Sequence, residues 1–269
     1  MSEIPSPSGL GVDLDAGVMR VTIDRPAKRN AIDDEIVGAL ISHLERANQD
    51  EGVRAILLAS AGDDFCSGFD ILSRNATDDR RPRVGSIQRR LPAQAHRLIP
   101  LMLSTQVPIV AAVRGWAAGL GFHLALAADF CVAASDARFW EPFAKRGFTP
   151  DSGGTWLLPR LVGVARAKEL LVLGRELSGD EAAAWGLVLR AVPAGDVDGE
   201  AASIATTLAE GPTVSLGLTK WLIHQGAGLD LERHLSSEAF AMELSSRSAD
   251  FREGIAALRE KRAPRFDGR

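Results

Sequence analysis

The chain has 269 residues, 46% hydrophobic and 25% charged, with a formal net charge of −4 and two cysteines. That composition suits a globular protein long enough for one large α/β core domain, or for a core plus a small satellite. It excludes a basic footprint for nucleic acid, a disulfide framework and any run near the ~18 apolar residues of a membrane span.

The N-terminal residues lack the basic start and apolar run of a signal peptide, so a cytoplasmic protein is expected. Val18 to Asp24 alternates as a strand and stops at Arg25-Pro26. Asp33 or Asp34 then caps a helix with Ile36, Leu40, Leu44 and Ala47 on one face. Val53 to Ala59 is an apolar run of strand length, which predicts a βαβ unit and a parallel sheet. The polar segment 73–85 reads as a surface loop or a lid. Helical spacing from Ile87 to about Thr105 precedes a buried strand, Pro108 to Val113. Gly115 to Gly121 turns into a helix over 122–128, followed by a strand from Asp129 to Ala134. Ser178-Gly-Asp-Glu181 is a capping box, and Leu187 to Val192 reads as the last strand. After Pro193 the pattern is helical to the end.

Three segments carry candidate chemistry. In Asp63-Asp-Phe-Cys-Ser67-Gly68-Phe69-Asp70-Ile71, Gly68 lets the Phe69 amide turn into a cleft. Gly115-Trp-Ala-Ala-Gly119-Leu120-Gly121 leads into a helix whose first amides lack intrahelical partners and carry the positive end of the dipole. Two such strand-end amides suit a thioester carbonyl that becomes an enolate. The third segment, Arg138 to Thr155, sets Asp151 among Phe139, Trp140, Phe143 and Phe148, ahead of a Gly-Gly turn. Apolar surroundings disfavour a carboxylate anion and suit it to proton transfer; a helix N-cap is the other reading of the same residue.

These segments, in this order, together with Arg25-Pro-Ala-Lys-Arg-Asn30-Ala31 and the ending Phe251 to Phe266, resemble the crotonase (enoyl-CoA hydratase/isomerase) superfamily. The resemblance implies an α/β fold, a spiral of ββα repeats, with a helical C-terminal region that builds trimers, often paired into hexamers. It suggests a core over residues 1–200 and a trimerisation region over 201–269. The implied ligand is an acyl-CoA thioester, so coenzyme A belongs to the substrate and no separate cofactor is expected. The thioester oxygen would sit between the amides of Phe69 and Leu120, beside Gly119. The CoA moiety would lie near Lys28, Arg29, Ala31, Ser67, Asp70 and Ile71, with Lys261 and Phe266 closing the pocket from a neighbouring subunit.

Hydratases of this family carry two glutamates, and this chain has His123 and Phe143 at those positions. Water addition usually needs two acid/base groups, whereas a 1,3-proton shift needs one. The segment Gly147 to Arg160 resembles the 1,2-epoxyphenylacetyl-CoA isomerases of phenylacetate degradation, which assigns Asp151 the role of base. His123 reads either as a histidine hydrogen-bonded in the pocket wall or as an acid. The alternatives are a hydratase sharing work between His123 and Asp151, an aspartate nucleophile partnered by His96, and a non-catalytic acyl-CoA binder. Cys66 reads as packing, and the histidines show no metal spacing, so no metal is expected.

Overall fold

The computed structural model describes residues 7–71 and 83–269. Strand β1 (Leu10–Asp15) pairs antiparallel with β2 (Val18–Ile23) across an Ala16-Gly17 turn in which both residues have positive φ. That geometry matches the twist of a two-residue hairpin. Helix α1 (Asp34–Ala47) is capped by Asp33, whose carboxylate accepts from the Ile36 amide at 3.1 Å, and it buries the expected face. Strand β3 (Ala55–Ser60) is buried throughout and runs parallel to β2.

The continuous helix expected from Ile87 to Thr105 is broken. Helix α2 (Ser86–Arg90) gives way to 3-10 turns at Leu91–Ala93 and Ala95–Arg97 before α3 (Leu98–Ser104). Pro92 has no amide hydrogen to continue the ladder, while Pro100 sits in the first turn of α3, where none is needed. Most of the lid segment, residues 72–82, lies outside the described residues.

Strand β4 (Ile109–Val113) is followed by a short strand, β5 (Trp116–Ala118), where a turn was expected. Helix α4 (Leu120–Ala127) begins two residues earlier than its alanine-rich run suggested. Then come β6 (Phe130–Ala134), β7 (Arg138–Trp140) and α5 (Gly154–Leu171), which is kinked at Gly163. Strand β8 (Glu176–Ser178) leads into α6 (Gly179–Ala184) through the expected capping box. The last strand, β9, is confined to Arg190–Val192.

Six strands form one sheet in the order β1-β2-β3-β4-β6-β9, parallel apart from β1, and β5-β7-β8 form a second sheet. Helix α7 (Val197–Ala209) buries Val197, Ala201, Ala205 and Ala209, and it runs across residue 200, so a division there falls within a helix. Helices α8 (Thr213–Gly226), α9 (Leu231–Ser245) and α10 (Ala249–Glu260) complete the chain. They leave Ile223, Leu231, Phe240, Met242 and Leu258 exposed. No helix among the described residues is long and apolar enough to cross a membrane.

Candidate active site

The loops that follow β3 and β4 meet at the carboxyl ends of the parallel strands, where open α/β sheets place their ligands. They are sewn together by backbone. The Cys66 amide donates to Trp116 O at 2.8 Å, and the Ala118 amide donates to Cys66 O at 2.9 Å. Gly68, at φ 101°, fits only because it has no Cβ, which would lie 2.9 Å from Ala118 O and 3.8 Å from the Leu120 amide nitrogen. Gly121 is held as tightly, since a Cβ there would lie 2.2 Å from Cys66 O. The Phe69 and Leu120 backbones therefore come together in space. Leu120 opens α4, so its amide lies ahead of the intrahelical ladder.

The turn bearing Lys28, Arg29 and Ala31 is clamped to the same loop. Ser67 N donates to Arg29 O at 3.0 Å, Ile32 N to Gly68 O at 2.9 Å, and Asp70 N to Ile32 O at 2.8 Å. Lys28 Nζ lies 2.8 Å from Asp70 Oδ2 and Arg25 Nη2 3.3 Å from the same oxygen. Arg29 and Asn30 both have positive φ, a costly backbone that Asn30 secures from within. Its buried amide donates to Ala61 O at 2.7 Å and Asp64 O at 2.6 Å, while its oxygen accepts from the Arg25 amide at 2.7 Å. The structure thus gathers Lys28, Arg29, Ala31, Ser67, Phe69, Asp70, Ile71, Gly119 and Leu120 on one edge.

Lys261 ends α10 in the left-handed region, and Phe266 is not part of that edge within one chain. The Phe266 carbonyl accepts from Arg54 Nη2 at 3.2 Å, and Arg54 precedes β3. The site loop follows β3, roughly 20 Å further along at the rise of a strand. The ring of Phe266 instead faces Gly254 of its own chain. His96 is exposed.

Two expectations for Asp151 need correction. Gly153 occupies the N-cap position of α5 with no side-chain cap hydrogen bond, so Asp151 does not cap that helix. Nor does it lie in a dry pocket, because Asp151 is exposed in the isolated chain. The aromatic residues near it in sequence are used elsewhere. Phe139 packs on Phe122 with centroids 5.0 Å apart, and Trp140 packs on Trp116 at 5.8 Å. Phe143 stacks on the His123 ring at 6.0 Å and meets Phe148 edge-on at 5.4 Å. The apolar shielding expected around the carboxylate surrounds the imidazole instead.

His123 is completely buried. Its Nδ1 lies 2.7 Å from Ser152 Oγ and its Nε2 2.9 Å from Glu141 Oε1. With both ring nitrogens engaged, the imidazole stands in the wall and not at the surface of the cleft. Glu141 and Ser152 were not singled out in the sequence. The available signal was an acidic residue inside the apolar run Phe139-Trp-Glu-Pro-Phe143, because a buried carboxylate requires a partner. The Cys66 thiol, fully buried, is pushed up to about 12 by desolvation and is no nucleophile here. Among the described residues, no cluster of three or more His, Cys, Asp or Glu could hold a metal ion.

This is the architecture of an acyl-CoA-processing crotonase fold. Residues 13–269 match the family model described as enoyl-CoA hydratase/isomerase, and the chain belongs to that family. It is 39% identical over 258 residues to a 1,2-epoxyphenylacetyl-CoA isomerase of Escherichia coli strain K12, covering 95% of this chain and 97% of the relative. It is 33% identical over 246 residues to a crotonyl-CoA hydratase of Syntrophomonas wolfei, covering 91% and 92%. The crystal structure of an enoyl-CoA hydratase from Bacillus anthracis superimposes with a TM-score of 0.90 at 31% identity, covering 97% of this chain and all of that one.

Proposed function

We propose that the protein isomerises enoyl-CoA thioesters, with Asp151 as the single base and the Phe69 and Leu120 amides as oxyanion donors. Asp151 takes a proton from the α carbon of a 3-enoyl thioester, leaving a dienolate whose oxygen charge rests on the two amides. The same carboxyl group returns the proton at the γ carbon, giving the conjugated 2-enoyl thioester without addition of water. The observation that carries this reading is the position of Asp151. It sits one residue before Ser152, which contacts the helix that begins with Leu120. An exposed carboxylate is reachable by substrate, and a bound acyl chain then supplies the desolvation that the chain alone does not.

Hydration is disfavoured at the two positions where hydratases of the family carry glutamates: Phe143 is apolar, and both nitrogens of His123 are engaged. Similarity to the isomerase of Escherichia coli supports the same choice. The exposed apolar residues of α8, α9 and α10 suit a self-associating surface, and we propose a trimer or a pair of trimers in which a neighbouring tail completes the CoA pocket. The deciding experiment incubates the purified protein with 3-hexenoyl-CoA and follows the conjugated product. Conversion should be abolished by Asp151→Asn at unchanged CoA-thioester affinity. Full turnover by that variant, or conversion of crotonyl-CoA to 3-hydroxybutyryl-CoA by the wild type, would refute the proposal.

A further inference from the structure

Glu141, His123 and Ser152 form a buried polar line that the proton shift itself does not use. They come from three separate places: just past the end of β7, the first turn of α4, and the turn before α5. Nε2 of His123 lies 2.9 Å from Glu141 Oε1, within hydrogen-bonding reach. Nδ1 then meets the Ser152 hydroxyl at 2.7 Å. Glu141 Oε2 is buried with no hydrogen-bond partner among the described residues, so the line is held by its packing as well as by its bonds. Phe143 covers one face of the ring, and Gly154 presses on its Nε2 so closely that a Cβ would lie 2.2 Å away.

Asp151 makes no hydrogen bond or ion pair with another described residue. What fixes it is its neighbour, Ser152. The helix that anchors Ser152 through His123 is the helix that presents Leu120, since His123 N donates to Gly119 O at 3.0 Å within the same first turn. We propose that Glu141 and His123 are positioning residues: through the Ser152 hydroxyl they fix Asp151 relative to the Leu120 oxyanion donor. The proposal rests on the reading of Asp151 as base. Misplacing a reacting group by about 1 Å can cost ~100-fold in rate, so a line of this kind acts on kcat with little effect on ground-state affinity.

The test uses the full chain with 3-hexenoyl-CoA, and melting curves establish that each variant is folded. Ser152→Ala and His123→Ala should lower kcat by about tenfold or more, with KM changed less than about twofold. Glu141→Gln keeps an oxygen acceptor toward Nε2 and should retain most activity, whereas Glu141→Ala should not. Because Ser152 acts through Asp151, Asp151→Asn/Ser152→Ala should be no slower than Asp151→Asn alone. Amide hydrogen exchange over residues 151–154 should rise in Ser152→Ala and His123→Ala, but not in Asp151→Asn.

Full turnover by Ser152→Ala while Asp151→Asn is inactive would overturn the positioning role and leave the base intact. Full turnover by Asp151→Asn would overturn the base itself. A double variant slowed by the product of the two single losses would mean that Ser152 acts on substrate directly, which also overturns the proposal. Should His123→Ala fail to fold, Ser152→Ala decides, since it removes one oxygen only; if no variant or wild type turns over, unchanged exchange at 151–154 overturns it.

Discussion

Gly154→Ala is a severe small change beside the buried imidazole. The added Cβ would lie 2.2 Å from His123 Nε2, 3.0 Å from its Cε1 and 3.1 Å from Glu141 Oε1. The ring has nowhere to retreat, being fully buried with Phe143 stacked on it. Overpacking of this kind costs about 1–3 kcal/mol. Displacing Nε2 from Glu141 strands a buried hydrogen-bond pair, for roughly 1–3 kcal/mol more. The total, about 2–6 kcal/mol, should lower the melting temperature by roughly 4–24 °C in a chain of this size.

Gly147→Ala is the control, because its φ of 77° carries backbone strain but no atom lies within 4 Å of a Cβ there. It should cost only ~1–2 kcal/mol. Calorimetry on Gly154→Ala, His123→Ala and the double variant isolates the contact, because removing the imidazole makes room for the methyl. His123→Ala should therefore cost about 1 kcal/mol less, or better, in the Gly154→Ala background than alone. Strictly additive losses would refute the claimed contact between residue 154 and the ring.

Three further outcomes follow from buried groups away from the cleft. Asp129 Oδ2 accepts from Lys220 Nζ and from the Ile109 amide, each at 2.7 Å, so Asp129→Asn should destabilise the fold by about 3–5 kcal/mol in denaturant titrations. Burial already holds the Lys220 pKa low, with Asp129 opposing it; without Asp129 the folded value drops further below the unfolded one. The penalty is then complete at pH below the folded value and fades as pH rises toward the unfolded value, so the gap to wild type should narrow from pH 7 to pH 10. Cys66 and Cys131 are pushed up to about 12 by burial, leaving ~10⁻⁴ thiolate at pH 8, so a disulfide reagent should label neither until the chain unfolds. Buried Asp250 accepts from the Asp267 and Gly268 amides at 2.9 and 3.0 Å, and Asp250→Ala should release the tail, read as faster tryptic cleavage after Arg265.

Most strands and the capped helices were legible because their signals are local. Asp33 and Ser178 cap where their side chains reach the amides three residues on, and β3 and β4 announce themselves as apolar runs. Strand β1 was not legible, since it lies at a sheet edge and exposes most of its side chains, including Leu14. Strands β5 and β7 are three residues each, too short for alternation to register. The two glycine loops could be read because glycines at tight approaches leave a mark in sequence, at Gly68 and Gly121 above all.

The environment of Asp151 could not be read in the same way, and the reason is physical. Neighbours along a turn need not be neighbours in space: Phe139 and Phe143 lie within a dozen residues of Asp151, yet they pack on Phe122 and His123. The polar line that does bear on the turn joins residues 18 and 29 positions apart in the chain, brought together by the pairing of β5 with β7 and by the turn before α5. His123 stood out in the sequence because it occupies a position where hydratases of the family carry a glutamate. Its partners were invisible because a buried glutamate and a serine beside two glycines each have an ordinary local explanation. What differs from the sequence reading is therefore the surroundings: the carboxylate is exposed in the isolated chain, and the apolar packing expected around it encloses the imidazole.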